Sequence, residues 1–365
     1  MAFAQENFER LRAAVEARAK GEPEKKNEYF PKGDGWESQQ EFLTDMCKTF
    51  NDDVTADYFN ITAQLEDAAF VAGQQWDPVI MNQRLLDQKP ALTINTAPAL
   101  IAQVMGNRLM SETCVKIDPD MGGTKEIAKT RQGLVHSIEK IGDSSGNSFN
   151  VAMLNAVIGG LGNFRLKARY AANDVFEQEL VPDPIPNPGA VVWDRMRMEP
   201  TGRDAKHVFV QELMLRTEFE ARWPWAQPAE LGSQLGYTQM LQTNGWVTVD
   251  TVRVVDYYRM RSVRRTLAMM NDGAIVDVTD KPVGDWIASL AVHPGTGLPV
   301  MRDTYRQYCE VLKCSADNVL EGPFRYWTDR VLVFRVPGWE VMVGDTWNRF
   351  GLIRFAKDPM RYRNF

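Results

Sequence analysis

The sequence predicts an α+β fold, with a helical front half followed by antiparallel strands that carry helical insertions. Two patterns support this class. Apolar residues recur at helical spacing through residues 36–160, and they alternate with polar residues at period two from Asn163 onward. Because the two patterns occupy separate parts of the chain, they indicate an α+β protein and not an α/β protein, in which helices and strands alternate.

Three segments of the front half have the spacing of amphipathic helices. The first runs from Trp36 to about Phe70, and the others cover residues 98–112 and 124–141. Pro98 suits the first turn of the second helix. The apolar positions of the first helix, which predict its buried face, are Phe42, Met46, Phe50, Val54, Tyr58, Ile61 and Leu65.

Strand patterns begin with "NFRLKARY", residues 163–170, where apolar side chains alternate with cations. Further strand-like runs occur at 190–193, 207–213, 246–260, 274–278, 308–313 and 331–336. Residues 216–224 predict a short helix that Pro224 ends. The glycines of "GGLGNF", residues 159–164, precede a strand, so they predict a helix-to-strand turn and not a dinucleotide-binding loop.

The composition is that of an ordinary globular protein. Of the 365 residues, 44% are apolar and 25% are charged, and the formal net charge of −6 argues against a free-standing cationic nucleic-acid binder. The N-terminus lacks the pattern of a secretory signal, and the longest apolar run, residues 151–162, is too short for a bilayer, so we expect no membrane association. The spacing of Cys47, Cys114, Cys309 and Cys314 predicts buried free thiols.

Motifs for catalysis are missing from the sequence. The three histidines, His136, His207 and His293, stand in unrelated contexts, and no phosphate-binding P-loop motif occurs. The acidic stretches at 51–53 and 118–120 are typical of helix caps and turns, although they could also bind a cation weakly. The chain is therefore predicted to be no enzyme and to carry no cofactor, with a metal-dependent nuclease as the enzymatic alternative.

Two stretches combine cations with aromatic residues. The C-terminal tail interleaves Arg349, Arg354, Lys357, Arg361 and Arg363 with phenylalanines and a tyrosine. The run "YYRMRSVRR" carries Arg259, Arg261, Arg264 and Arg265 at the end of a predicted strand. Such side chains can contact phosphates, or they can form solvated faces and salt bridges between subunits. We predict that the four arginines of the run lie at a subunit interface or contact DNA.

Five segments, in this order, carry a family resemblance. Residues 68–109 contain Gln75, Trp76, Arg84, Asn95 and Arg108, and "GNFRLKARY" follows. Residues 191–224 contain Trp193 and Asp194 in a "VVWD" turn, and "VRVVDYYRM" comes next. The last is "FGLIRFAKDPMRYRN", with Asp358 and Asn364, in which Met360 replaces the family's usual glutamine. Together these segments resemble the portal, or head-to-tail connector, proteins of short-tailed bacteriophages.

The resemblance implies a division into three parts. Residues 1–35 would form a mobile arm or linker, 36–340 a wing domain that is helical over 36–160 and strand-rich over 161–340, and 341–365 the start of a stem helix. Relatives continue into a clip, a second stem helix and a crown, which these residues lack. Near the end, Asp358 would cap a helix whose first residue is Pro359, or the pair would kink a helix under way from about Trp347.

The resemblance also implies a structural function. The chain would be one subunit of a ring, usually a dodecamer, at the capsid vertex through which DNA is packaged and ejected. Its partners would be double-stranded DNA, terminase, a head–tail adaptor, and the capsid and scaffolding proteins, in the virion and, during assembly, in the host cytoplasm. Lys357, Arg361 and Arg363 would lie on the channel side. A phage nuclease or other DNA-processing enzyme, and a non-portal adaptor, are the alternatives.

Overall fold

The computed structural model describes ten stretches of the chain: residues 36–110, 115–120, 123–142, 147–172, 174–226, 246–248, 250–279, 290–292, 299–344 and 346–364. The predicted N-terminal arm at residues 1–35, together with Cys114 and His293, lies outside the described residues. Helices dominate the part before Leu161 and antiparallel strands the part after it, so the predicted α+β class is confirmed.

The α-helices among the described residues are seven: α1 (Gln39–Val71), α2 (Pro78–Leu86), α3 (Ala97–Met110), α4 (Lys125–Ser137), α5 (Asn147–Gly159), α6 (Arg216–Arg222) and α7 (Leu352–Asn364). A π-helical turn, Ile138–Gly142, follows α4. The start of α1 is capped by Ser38, whose hydroxyl accepts the Glu41 amide at 3.2 Å. At the start of α2, Asp77 accepts the Val79 amide at 2.8 Å, and Pro78 stands at the first helical position.

The strands are β1 (Leu161–Tyr170), β2 (Gln178–Pro184), β3 (Val191–Trp193), β4 (His207–Leu215), β5 (Thr251–Met269), β6 (Ile275–Asp277), β7 (Met301–Cys314), β8 (Val319–Tyr326), β9 (Val333–Pro337), β10 (Trp339–Val343) and β11 (Thr346–Phe350). These strands pair with one another in antiparallel fashion. One sheet has the order β2-β1-β9, β10 and β11 form a hairpin, and the largest sheet has the order β3-β4-β5-β7-β8 with β6 on β5.

The two longest strands extend beyond their neighbours. β4 pairs with β5 only as far as Arg259, and β8 pairs with β7 only from Cys309 onward. Beyond these limits, residues 261–267 of β5 and residues 302–308 of β7 pair with each other, and β6 joins the far end at Leu267. We call this two-stranded extension the ribbon.

The first half of α1 packs on the largest sheet and forms the main core. Phe42, Met46 and Phe50 are buried there against Phe209 and Leu312. Full burial of each such side chain stabilises the fold by about 1.5–3 kcal/mol. The predicted buried face of α1 is therefore confirmed for its first half.

The second half of α1 departs from the prediction. Tyr58 and Leu65, which were expected to be buried, are exposed, whereas Asn60, Gln64 and Asp67 are buried. The reason is that this part of the helix lies against chain segments that present hydrogen-bonding groups. Helical spacing predicts that a helix has an apolar face and a polar face, but in the second half of α1 the polar face is the one that is buried.

Three cysteines, Cys47, Cys309 and Cys314, are buried free thiols, as predicted for them. Burial raises the pKa of the Cys47 thiol to about 12. Because the thiolate is the reactive form, Cys47 is an inert core residue at neutral pH.

The expectation for the last helix requires a correction. Pro359 lies inside α7, which begins at Leu352, so Asp358 does not cap a new helix, and its side chain is 93% exposed. The alternative, a helix already under way at the Asp-Pro pair, is confirmed, but it does not start near Trp347, which lies in β11. The predicted helix-to-strand turn is confirmed, since Gly160 adopts a φ of 90° between α5 and β1.

Candidate interaction surfaces

The buried polar face of α1 holds distant segments together. The Asn60 amide nitrogen donates to the carbonyl of Trp347 at 2.7 Å, and its oxygen accepts the Arg349 amide at 3.0 Å, which attaches β11 to the helix. The Gln64 amide donates to the carbonyl of Leu161 at 2.7 Å, which attaches the start of β1. Each buried polar group thus has a partner, as a buried amide must to avoid a large desolvation penalty.

Asp67, the last polar residue of this face, holds α7. Its carboxylate accepts hydrogen bonds from Arg354 at 2.7–3.1 Å and lies 2.6 Å from the Lys357 ammonium. Lys357 is 6% exposed. The lysine that was predicted to face the channel therefore forms a buried ion pair within the chain and is not a surface cation in this conformation.

The other two residues predicted for the channel side, Arg361 and Arg363, are exposed near the end of α7. The Arg361 guanidinium lies 5.7 Å from the Phe70 ring centre and 3.9 Å from the Asp358 carboxylate. With both contacts in place, the Arg361 side chain is 47% exposed. Their channel-side position stays a prediction.

Three amide side chains from separate segments form one hydrogen-bonded chain, which we call the amide chain: Gln75, Asn95 and Asn364. Asn364 donates to Gln75 at 2.6 Å, Gln75 donates to Asn95 at 2.9 Å, and Asn95 donates to the carbonyl of Val71 at 2.8 Å. The Asn364 oxygen also accepts the Ile94 amide at 2.9 Å. The end of α7 is thereby tied to the loops on both sides of α2.

Trp76 and Arg84, two further residues of the family resemblance, fold α2 against the segment that follows it. The Trp76 indole donates to the carbonyl of Leu92 at 3.2 Å, and Arg84 donates to the carbonyl of Pro90 at 3.0 and 3.3 Å. The Arg84 guanidinium also lies over the Trp76 ring, 4.8 Å from its centre. Arg108 is half-buried in the last turn of α3.

Trp193 and Asp194 fix the turn after β3. The buried Trp193 ring donates to the Asn163 side chain at 3.1 Å. Asp194 accepts the backbone amides of Met196 and Lys206 at 2.8 and 3.0 Å. Their roles are structural, since both polar groups are used within the fold.

One group of three side chains within the described part of the chain has a geometry that could hold a metal ion: Asp53, Asp194 and His207. His207 Nε2 lies 2.7 Å from the Asp53 carboxylate, and its Nδ1 lies 3.9 Å from Asp194. Asp53 also accepts the Arg195 amide at 3.3 Å, and Asp194 accepts two amides. Because these oxygens already accept protein hydrogen bonds, the group works as a clamp between α1 and β4 and does not favour the nuclease alternative.

A buried cluster of charges was not anticipated from the sequence. Glu340 lies 2.9 Å from Arg197 and 2.7 Å from Arg335, and Arg349 pairs with Asp57 beside them. Burial, together with the nearby charge of Arg335, lowers the pKa of Arg197 to about 10, so the guanidinium stays charged at neutral pH. Arg335 and Arg349 give a usable sequence signal, because each lies in a strand, where a charge must be either paired or exposed.

The arginines of "YYRMRSVRR" separate into buried and exposed members. Arg259 is buried and pairs with the fully buried Glu310, which also accepts a bond from Arg325 at 3.1 Å. Burial alone would raise the pKa of Glu310, but attraction to Arg259 and the hydrogen bonds from both arginines hold it below its usual value. Arg259 is thus a core residue and is not available to a subunit or to DNA in this conformation.

The other three arginines lie on the ribbon. Arg264 pairs with Asp303 at 2.5 Å, and Arg265 pairs with Asp277 at 3.0 Å. Arg261 is half-buried. Whether these three contact a subunit or DNA stays a prediction.

Apolar side chains on α2 are exposed. No residue of this helix is buried, and Val79, Leu85 and Leu86 are 73%, 76% and 84% exposed. Leu92, in the loop after α2, is 66% exposed. We call these four residues the α2 surface. Large apolar side chains concentrated on one segment are typical of protein–protein contact sites.

Comparisons with known proteins give a family. No helix in the described ranges has both the length and the apolar character to span a membrane. A search of curated protein sequences returns no significant match. The family model described as phage P22-like portal protein matches residues 47–365, which is most of the chain. The chain therefore belongs to the phage P22-like portal protein family.

Proposed function

We propose that the chain is the repeating subunit of a portal ring at a capsid vertex, through which phage DNA is packaged and ejected. Portal proteins are structural, and the chain fills that role without chemistry of its own. The ring, usually a dodecamer, would bind terminase, an adaptor, and capsid and scaffolding proteins in the virion and during assembly in the host cytoplasm. Family membership supports this function.

The α2 surface is the observation that carries ring formation. An isolated helix of nine residues is marginal in water, and α2 buries none of its side chains within its own chain. Burying Val79, Leu85 and Leu86 against a neighbour would contribute about 1.5–3 kcal/mol each. In a ring, one face of a subunit meets a different face of the next, so the α2 surface would dock on a second, complementary surface of the neighbouring subunit.

Within such a ring, we assign residues 36–340 to the wing domain and residues 341–365 to the start of the stem. On this assignment, Arg361 and Arg363 would face the channel, and the buried Lys357 would hold the stem in place through Asp67. DNA that must slide requires few phosphate contacts, because each contact adds to the salt-dependent affinity. The net charge of −6 agrees with a subunit that makes few phosphate contacts.

The test is the size of the purified 365-residue protein by sedimentation velocity and negative-stain microscopy. We expect closed rings for the native chain and loss of rings for Leu85→Glu with Leu86→Glu. Phe176→Glu is the matched control, because Phe176 is 95% exposed in the turn before β2 and outside the α2 surface. A native chain that stays monomeric at high concentration would overturn the proposal, and binding of that monomer to a preformed ring would identify an adaptor instead.

A further inference from the structure

The two faces of the ribbon differ in charge. Side chains directly opposite each other in an antiparallel pair lie on the same face, and successive residues alternate between faces. One face therefore carries the pairs Arg261–Tyr308, Val263–Arg306, Arg265–Thr304 and Leu267–Arg302. The other carries Ser262–Gln307, Arg264–Tyr305 and Thr266–Asp303. The first set, which we call the arginine face, holds four of the five arginines of the ribbon.

The arginine of the opposite face is paired with a carboxylate, whereas the arginine face carries more arginines than carboxylates among the described residues. Arg264 is bound by Asp303, which also accepts the Thr266 hydroxyl at 2.8 Å. On the arginine face, Asp277 of β6 pairs with Arg265, while Arg302 and Arg306 are exposed. Without Arg261, the arginine face has three guanidinium groups, those of Arg265, Arg302 and Arg306, and the Asp277 carboxylate is their counter-charge among the described residues.

An aromatic residue orders two guanidiniums of this face. Trp327 follows β8 and is 53% exposed. The Arg306 guanidinium lies 4.2 Å and the Arg265 guanidinium 5.2 Å from the centre of its ring. Cation–π contacts of this kind hold the planar groups in place without consuming all of their hydrogen-bond donors. Arg265 and Arg306 are thus arranged in advance of any ligand.

The spacing along the ribbon is regular. Along the arginine face, each cross-strand pair contains one arginine, and the pairs follow one another every two residues in the order Arg261, Arg306, Arg265 and Arg302. At about 3.4 Å per strand residue, the charges repeat about every 6.8 Å over roughly 20 Å. A ligand that matches this row must itself carry repeated negative charges.

We infer that the arginine face binds the phosphate backbone of double-stranded DNA without reading its sequence. Guanidinium groups bind phosphates through two parallel hydrogen bonds, and a two-stranded ribbon has a size that a DNA groove admits. The apolar residues of this face, Val263 and Leu267, are too few for the apolar centre that a protein interface usually has. The inference rests on the proposed function for the choice of DNA as the polyanion.

The experiment measures binding of the full chain to a fluorescent 30-base-pair duplex of mixed sequence by anisotropy at several salt concentrations. The variant is Arg302→Gln with Arg306→Gln. We expect about a tenfold loss of affinity per arginine near 0.1 M salt and a salt slope that is smaller by about 1.8, since each phosphate contact contributes about 0.9. The control, Arg264→Gln, makes the same kind of charge change on the opposite face and should leave both quantities nearly unchanged.

Three results would overturn the inference: equal losses in the variant and the control, an unchanged salt slope, or binding of polyglutamate in place of DNA with the same dependence on Arg302 and Arg306. A second variant, Arg302→Lys with Arg306→Lys, keeps the charge and should preserve most of the salt slope. Microscopy of each protein separates the two proposals. Rings without arginine-dependent DNA binding would refute only this inference, and arginine-dependent binding by a monomer would refute only the proposed function.

Discussion

Replacing Asp67 with asparagine should release α7 from the rest of the protein. Asp67 is fully buried and bonds both Arg354 and Lys357, the latter at 2.6 Å. Asparagine has nearly the same volume but no charge, so the buried Lys357 ammonium would lose its counter-charge. Breaking one partner of a buried pair costs about 3–5 kcal/mol. We expect the lower end, because the exposed Glu66 carboxylate remains 3.8 Å from Lys357.

Hydrogen exchange measures this effect locally. A change of 1.4 kcal/mol is a factor of ten in an equilibrium constant, so about 3 kcal/mol should raise the open population of α7 about 100-fold. Amides in peptides that cover Leu352–Asn364 should exchange faster by that factor when analysed by mass spectrometry. Amides in the core strands of the largest sheet should change much less.

Asp358→Asn is the control for this prediction. It makes the same chemical change on α7 itself, but the Asp358 side chain is 93% exposed and lies 3.9 Å from Arg361. A surface pair of this kind contributes about 0–1 kcal/mol. The reasoning would be refuted if exchange in α7 rose no more with Asp67→Asn than with Asp358→Asn, or if it rose uniformly along the chain.

Two further predictions concern the core. Burial works against the Glu310 carboxylate, yet Arg259 holds its pKa below the ordinary value of 4.5, so its stabilising contribution is complete above that value and is lost as the pH falls through the folded-state pKa. The stability gap between native protein and Glu310→Gln in urea should therefore shrink from neutral pH to about pH 3, and a constant gap would contradict this. Gly162→Ala should destabilise by about 1–3 kcal/mol or more in the same assay, because its Cβ would lie 1.7 Å from the Ala152 carbonyl oxygen. Gly133→Ala, in open space on α4, should instead be neutral or stabilising, and equal losses at the two sites would refute the packing argument.

Spacing predicted the helical part and the strand-rich part of the chain, but it missed α2 and the hairpin of β10 and β11, and it predicted only part of what each element buries. Phe42, Met46 and Phe50 follow the helical period and are buried, as expected. Tyr58 and Leu65 follow the same period and are exposed. The difference lies in what faces the helix, since its second half meets backbone groups that require Asn60 and Gln64, and local periodicity carries no information about those distant partners.

The same limit applies to the arginines. A charged residue in a strand pattern can be buried in an ion pair or exposed, and the partner decides which. Glu310, the partner of Arg259, lies 51 residues further along the chain, and Asp67, the partner of Arg354, lies 287 residues earlier. The strand register, and not proximity in the sequence, therefore determines that Arg259 lies in the core and which arginines lie on the arginine face. The family segments could be recognised in order, but their contacts required the fold.

The amide chain connects the two regions that the proposed function uses. Each of its amides has a fixed direction, because the nitrogen of one donates to the oxygen of the next, from Asn364 through Gln75 to Asn95. Gln75 and Asn95 flank α2, which carries the proposed subunit contact, whereas Asn364 ends α7, which carries the proposed channel residues. A displacement of α7 would have to break these bonds or carry the base of α2 with it. The position of α7 and the geometry of the proposed subunit contact would therefore be mechanically coupled within one chain, which is what the proposed ring would need if its passage and its circumference are to change together.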